Sequence, residues 1–463
     1  MKKNQSITNP QETYKIVENH FKNHFQKENI PKFLPHVGVP RPLQKRVTAN
    51  EIIDATKNMS NKKTAANNTL IELVKYAPQI VHEQIAVSIN NIFEKHDDLE
   101  LGKGELLPLP KPNKTKGPVT NLRPITLLQI IRKILSKIEV SRTEKAIDKF
   151  LPQSQCAYRK NKSTTEIIWA YRWILAKVQE EQNMEIHVIG IDMSSAFDTI
   201  NRDKIMTIAS DFLEEDELRI LRVLLSDTTL EVKIKGAKTE PFESNIGSPQ
   251  GDSVSGPVFT IYFEKHLEGI RIEIRNAPIH VNEMNKKWIE KRDSCLPREM
   301  LYADDADFLT EDPHIKKIIE EKAAPVLQQG NLNVNTTKTE HTILKRGNKL
   351  NEKWRKTKKL GSLLGDVEDI SRRKQLSAVA LNNMNKIWRN RKYTPRKRRI
   401  QLYDSLVKSI LHYNCSTWGV SKSTRNKLNS FIEGNLEKSL ISNGHIKLAA
   451  RSCTKLQTHG HCQ

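Results

Sequence analysis

The sequence predicts an α+β fold, and three observations predict it. Apolar residues recur at helical spacing before residue 100, between 127 and 178, and again beyond 366. One β-branched apolar run, "EIHVIGIDM", has the look of a buried strand ending at Asp192. "EMLYADDADFLTED" (299–312) alternates on both sides of two adjacent acids and reads as a hairpin with Asp304 and Asp305 at or near its turn.

The elements follow in order. Residues 1–50 are polar and Asn/Lys-rich and end in "PKFLPHVGVPRPLQKR", whose Pro spacing resists regular structure. Residues 51–90 read as a helical extension, carried by "IIDATKNM" and "LIELVKYAPQIVHEQIAVSINNIF". "GELLPLPKPNKTKGPVTNLRPITLL" reads as two extended segments around a basic loop. From Leu127 to Val140 the apolar residues Leu127, Leu128, Ile131, Ile134, Leu135 and Ile138 form one helix face, with Arg132, Lys133 and Lys137 facing away. Ser163 and Glu166 have capping-box spacing at the start of "STTEIIWAYRWILAKV". After 366 the chain turns helical and very basic, with apolar residues at 402, 403, 406, 407, 410 and 411. The resulting division is 1–50, 51–90, 91–365 and 366–463.

The 463 residues carry 76 Lys and Arg against 54 Asp and Glu, a net charge of +22. An excess of that size points to a polyanion, either nucleic acid or an anionic membrane surface. No apolar run approaches the ~18 residues of a membrane span, and no apolar core follows the charged "MKKNQSITNP" opening, so nucleic acid is the expected partner and no membrane is expected. Five cysteines, at 156, 295, 415, 453 and 462, make no disulfide framework and point to a reducing, intracellular compartment. "RKTKK" and "PRKRR" suit nuclear import and a phosphate-gripping surface alike, which leaves nucleus and cytoplasm both open.

Tyr-x-Asp-Asp alone fits a solvated turn as well as a metal site. Its neighbours change the reading. An acid ends a strand in "VIGIDMSSAFD", a Gly-framed loop follows in "IGSPQGDSVSG", and a basic loop with Lys111 and Arg123 precedes both. Nucleotidyl transfer from a triphosphate needs this combination. Carboxylates hold two divalent ions about 3.5–4 Å apart, and cations neutralise the phosphates. Mg²⁺ prefers few carboxylates completed by phosphate oxygens.

In this order the motifs resemble those of reverse transcriptases of LINE-type (non-LTR) retrotransposons. The resemblance is carried by "LPLPKPNK", "NLRPITLLQIIRKILSKI", "LPQSQCAYRKNKST", "GIDMSSAFDTI", "GSPQGDSVSGPVF", "MLYADDADFL", "LNVNTTKTE" and "KKLGSLLGD". "YTPRKRRIQLYDSLVKSILHYNCSTWG" resembles the family's thumb, so the likeness covers roughly 50–420. It implies a right-hand polymerase with fingers, a palm built on a small antiparallel sheet, and a helical thumb. It further implies an RNA-directed DNA polymerase that joins dNTPs to the 3′-hydroxyl of a DNA primer on an RNA template. Two Mg²⁺ ions would assist, with Mn²⁺ as the substitute.

The resemblance also implies roles. Asp192 and Asp304 match the two metal-holding aspartates, and Asp305 the third acid. Phe197, five residues past Asp192, matches the steric gate beneath the sugar, against which stands a core aromatic. Gln250 and Gly251 match the loop that touches template and incoming base. Lys111 and Arg123 match the fingers cations, although Lys114 and Lys116 compete with Lys111. Lys338 stands where a lysine protonates departing pyrophosphate, or on the surface. Asp198 fits the family's "AFD" pattern and equally a cap on the next helix.

Two departures stand out. Ser255-Gly256-Pro257 replaces Ser-Pro after the Gln-Gly loop, and "KKTAANN" near residue 63 lacks the family's Gly and Asp. The residues before the fingers are too few for an endonuclease of ordinary domain size. Cys453, His459, His461 and Cys462 match no zinc-finger spacing. The competing reading is a catalytically inactive, nucleic-acid-binding remnant of such an element. Oligomeric state is not legible.

Overall fold

A computed structural model describes residues 10–440, apart from 63–65, 67–68, 112–113, 116, 182, 235, 277–296, 336–338, 348–351 and 391. Lys338, Lys116, most of "KKTAANN" and the C-terminal Cys/His group therefore lie outside the described residues. Helices and short sheets alternate along the chain, an α+β architecture. No described helix is long and apolar enough to cross a membrane.

The chain forms two compact units. The first comprises 1–162 and 188–341, the second 163–187 and 342–463, with crossings inside the strands Glu185–Ile191 and Glu340–Lys345. This division differs from the one drawn from sequence, because residues 163–187 go with the C-terminal helices. The helix Thr164–Glu180 has the expected capping box at Ser163 and Glu166. The hydroxyls of Thr164 and Thr165 donate to Asn414 Oδ1 at 3.0 and 3.1 Å, and Arg172 donates to the carbonyl of Leu363 at 2.8 Å.

The first unit has two sheets of functional interest. In one, Leu122–Leu128 pairs antiparallel with Lys103–Pro110, which runs parallel to Thr229–Ile234. These are the two extended segments expected around the basic loop. In the other, the strand ending at Ile191 neighbours Asp305–Thr310, which pairs antiparallel with Glu299–Tyr302. Ile189, Ile191, Leu301 and Phe308 bury the sheet against Phe259, Tyr262 and Phe263 of the helix Ser255–Arg275.

The polar N-terminal segment contains a helix that the sequence reading did not single out. Pro10–Phe25 is a 16-residue helix. Val17, Phe21 and Phe25, four residues apart, lie on one stripe and pack on Leu106, Leu230, Val232 and Phe242 of the first sheet. A second correction concerns Arg132. The helix begins at Ile130, after a strand through Leu128, and Arg132 points inward with no exposed surface. It is drawn in because Asp252 waits there, its Oδ2 2.8 Å from Arg132 Nε.

The second unit is helical. Asp366–Asn383, Arg396–Tyr403 and Lys422–Leu440 enclose two apolar clusters, one on Ile370, Leu411, Leu428 and Ile432, the other on Leu381, Trp388, Tyr403 and Val407. Arg399 is buried and donates to the Leu440 carbonyl at 2.8 Å, so the "PRKRR" cluster offers its other cations to solvent but not this one.

Candidate active site

The site is built where the second sheet of the first unit meets the loop before the helix Ser255–Arg275. The strand Glu185–Ile191 is buried almost throughout and delivers Asp192 at its end, half-buried. The Asp192 carbonyl accepts from Asn335 N at 2.8 Å, and Met193–Ser194 pairs with Asn333–Val334, which fixes the chain just past the acid. Ser195 then takes a left-handed conformation (φ 53°) and opens a single 3₁₀ turn, Ala196–Asp198.

Asp304 sits in a two-residue hairpin turn, since Tyr302 pairs directly with Asp305. Such a turn needs positive φ, and Ala303 supplies it at 55°, an unfavourable angle for a residue with a Cβ. The buried side chain of Gln155 holds it there. Gln155 Oε1 accepts from Ala303 N at 3.1 Å and from Ala157 N at 3.0 Å. Backbone bonds from Leu301 N to Ser154 O (3.0 Å) and from Cys156 N to Leu301 O (2.9 Å) brace the incoming strand. Sequence reasoning did not single out Gln155. A buried glutamine inside a motif quoted only for its likeness carried no local signal.

Burial pushes the Asp304 carboxyl above the usual carboxylate range. Its own backbone N–H lowers it, the nearby Asp192 raises it further, and Arg123 lowers it. Asp192 and Arg123 thus both act on Asp304, and Asp192 ends the strand that neighbours the one leaving the Asp304 turn. Asp305 heads the outgoing strand and is exposed. Lys111 is not aimed at the acids. Its Nζ donates to the Thr120 carbonyl at 2.9 Å inside its own loop, and Lys114 is exposed.

Phe197 is half-buried, stacked on Phe259 (4.3 Å between ring centroids) and edge-on to Tyr158 (6.4 Å). One face of the ring is therefore core. Burial, Asp304 and Tyr302 all raise the Tyr158 hydroxyl, which stays neutral beside the acids. Tyr158 also explains the Ser255-Gly256-Pro257 departure. A Cβ on Gly256 would overlap the Tyr158 ring, so glycine lets the helix start at Ser255 directly against it. Beyond Tyr158 a cavity of about 490 Å³ opens between the helices Ala49–Lys57 and Ile130–Phe150, lined also by Lys137, Glu144 and Ser253. It contains neither Asp192 nor Asp304.

The Gln-Gly loop is moulded onto these elements. Gly247 N donates to Ile200 O at 2.8 Å and Ser248 N to Phe197 O at 3.0 Å. Gln250 O accepts from Thr126 N at 2.8 Å, and Gly251 (φ 126°) lies so close that a Cβ would stand 2.5 Å from Thr126 O. Two buried arginines pin its ends. Arg202 donates to the carbonyls of Ser244 (2.8 Å), Ile246 (3.2 Å) and Gly247 (3.0 Å), and Arg132 pairs with Asp252. Burial and the neighbouring Arg132 pull the Arg202 guanidinium down to about 9, still cationic at neutral pH.

Among the described residues no three His, Cys, Asp or Glu side chains converge as a ready metal-holding group. The oxygen donors present are the carboxylates of Asp192 and Asp304, and the first raises the second. That fits a hard divalent cation completed by ligand phosphates rather than an all-protein cage.

A family model described as reverse transcriptase (RNA-dependent DNA polymerase) matches residues 109–368. The chain is 24% identical over 275 residues to a probable RNA-directed DNA polymerase from transposon BS of Drosophila melanogaster, covering 56% of this chain and 30% of that protein. It is 23% identical over 227 residues to the RNA-directed DNA polymerase from mobile element jockey of Drosophila melanogaster, covering 48% and 24%. It is 25% identical over 162 residues to a retrovirus-related Pol polyprotein from type-1 retrotransposable element R2 of Popillia japonica, covering 34% and 22%. The chain thus spans less than a third of the length of these relatives. Among solved structures, an apo telomerase from Candida Tropicalis truncated from its C-terminal domain aligns at a TM-score of 0.41 and 15% identity, covering 65% of this chain and 62% of that one.

Proposed function

The chain belongs to the reverse transcriptase (RNA-dependent DNA polymerase) family, and on that premise we propose that it is itself an RNA-directed DNA polymerase of a non-LTR retrotransposon. The observation that carries the proposal is the adjacency of the strand ending at Asp192 to the hairpin whose turn holds Asp304, with Asp192 and Arg123 both acting on the Asp304 carboxyl. Two half-buried carboxylates that repel one another are costly unless a cation or a proton relieves them.

The family uses divalent metal ions. In this chain Asp192 and Asp304 would hold two Mg²⁺, or Mn²⁺, with Asp305 as the outlying third acid. When bound, the ions would neutralise charge on the reacting phosphate oxygens and make the primer 3′-hydroxyl easier to deprotonate. The chain's own groups do the positioning. Arg123 offers its guanidinium to the triphosphate, with Lys111 available once released from Thr120. Gln250 and Gly251 present the loop to template and incoming base. Phe197, backed by Phe259, occupies the space beneath the sugar. Lys338 is the proposed proton donor to pyrophosphate. The partners are an RNA template, a DNA primer and dNTPs, and the site of action is intracellular.

Primer extension on poly(rA)/oligo(dT) with purified protein and Mg²⁺ tests this reading. The wild-type chain should extend the primer. Asp192→Ala or Asp304→Ala should lower the rate by about a hundred-fold or more while template binding persists, since each removes a charge on which the transition state depends. A variant keeping more than about a tenth of the rate would remove these residues from the chemistry. A wild-type chain that binds template without extending it would point to the inactive, nucleic-acid-binding remnant.

A further inference from the structure

Asp198 is almost fully buried, its side chain 4% exposed. It does not cap the following helix. That task falls to Asn201, whose Oδ1 accepts from Lys204 N at 3.0 Å. Both carboxylate oxygens of Asp198 instead go to side chains from distant parts of the chain. Oδ2 lies 3.1 Å from His24 Nε2, on the N-terminal helix 174 residues away, and Oδ1 accepts from Gln250 Nε2 at 2.9 Å.

We propose that Asp198 is a positioning residue of the nucleotide site, held by His24 and in turn fixing the amide of Gln250. The inference rests on the polymerase reading of the site. A carboxylate only accepts hydrogen bonds, so the contact selects the Gln250 rotamer that turns Nε2 toward Asp198 and Oε1 away from it. The Gln250 backbone is already tied to Thr126 and cannot adjust to compensate. Asp198's own backbone is equally fixed, because Gly247 packs so tightly on its carbonyl that a Cβ there would stand 2.7 Å from the oxygen. Side chain and main chain of the loop are thereby set together.

The role of His24 follows from the same chemistry. Facing a carboxylate, its Nε2 must carry a proton and donate. The second donor helps offset the cost of burying the acid, and it keeps Oδ2 from swinging to take the Gln250 amide. The helix Pro10–Phe25 is seated to supply it, because Val17, Phe21 and Phe25 fasten its other face to the first sheet. One turn earlier, His20 stacks on His24 and lies near Lys111 of the fingers loop. A segment preceding the family-matched residues 109–368 therefore reaches into the nucleotide site. Burying a carboxylate has no packing advantage over a leucine of similar volume. Its two side-chain contacts give this one a purpose.

The test is steady-state extension by the full chain with the dNTP concentration varied. His24 is 26% exposed near a helix end, where alanine suits the helical backbone. His24→Ala should raise KM for dNTP about five-fold with kcat changed less than about two-fold, the scale of one lost charge-assisted hydrogen bond. His24→Gln, whose amide nitrogen can donate to the same oxygen, should restore most of the loss. His24→Ala combined with Gln250→Ala should be no worse than Gln250→Ala alone, because both act through one amide. Additive losses, or a lowered melting temperature with KM unchanged, would overturn the inference while leaving the polymerase reading intact. Failure of the wild-type chain to extend any primer would sink both.

Discussion

The loop from Ser244 to Asp252 and the turn at Ala303–Asp304 border the same site and are held in opposite ways. The loop is organised by positive charge turned onto neutral carbonyls and a matched acid. Arg202 serves three carbonyls, and Arg132 meets Asp252 with both side chains fully buried. The turn is secured by Gln155 at its backbone, but burial and Asp192 push its half-buried carboxyl toward the protonated form, against the opposing pull of its backbone N–H and Arg123. A site of this kind divides its labour. It preorganises the groups that shape the substrate and leaves the Asp304 charge only partly offset, for a cation to meet later.

The largest expected effect breaks the loop's side of this comparison. Arg132→Met would leave the Asp252 carboxylate buried without its partner, which costs about 3–5 kcal/mol. Urea denaturation should report a loss of that order, and Arg132→Met combined with Asp252→Leu should recover much of it. A single variant as stable as wild type would mean that the buried pair does not hold the loop.

This pair also shows what the sequence hid. Asp192, the hairpin and the basic loop were legible because each is announced locally, by an apolar run, by alternation or by Pro and Lys. Arg132 was misread as outward because its reason for facing inward lies 120 residues away. The N-terminal helix was missed although Val17, Phe21 and Phe25 mark its stripe, since three apolar positions among so many polar ones bury nothing until a sheet is placed beneath them. Gln155 and His24 were invisible for the same reason. A polar side chain becomes a brace only when folding brings it a partner. Gly256 was noticed as a departure, but its cause, the Tyr158 ring, belongs to a segment almost a hundred residues earlier.

A smaller effect is expected at Phe197, which stands between the two regions. Its stacking on Phe259 leaves the ring little freedom to yield to a 2′-hydroxyl. Phe197→Ala should raise ribonucleotide incorporation relative to deoxyribonucleotide about ten-fold, which corresponds to ~1.4 kcal/mol of relieved clash. Competition assays with matched dNTP and rNTP would measure it. An unchanged ratio with lowered stability would assign the ring to the core alone.

The smallest effect in energy bears most directly on the central claim that Asp304 is kept at a cost for a cation. Burial and Asp192 raise its folded-state value, so its contribution to stability is present at low pH and is lost as pH rises through that value. Asp304→Asn mimics the protonated acid at every pH. The decisive measurement is thermal melting of wild type and Asp304→Asn at neutral pH, in EDTA and then in millimolar Mg²⁺. In EDTA the variant should melt higher by about 2 °C, the shift that roughly 1 kcal/mol produces in a unit of this size. Mg²⁺ should raise the wild-type melting temperature and leave the variant's where it was. A variant that melts lower in EDTA, or that responds to Mg²⁺ as wild type does, would contradict the account.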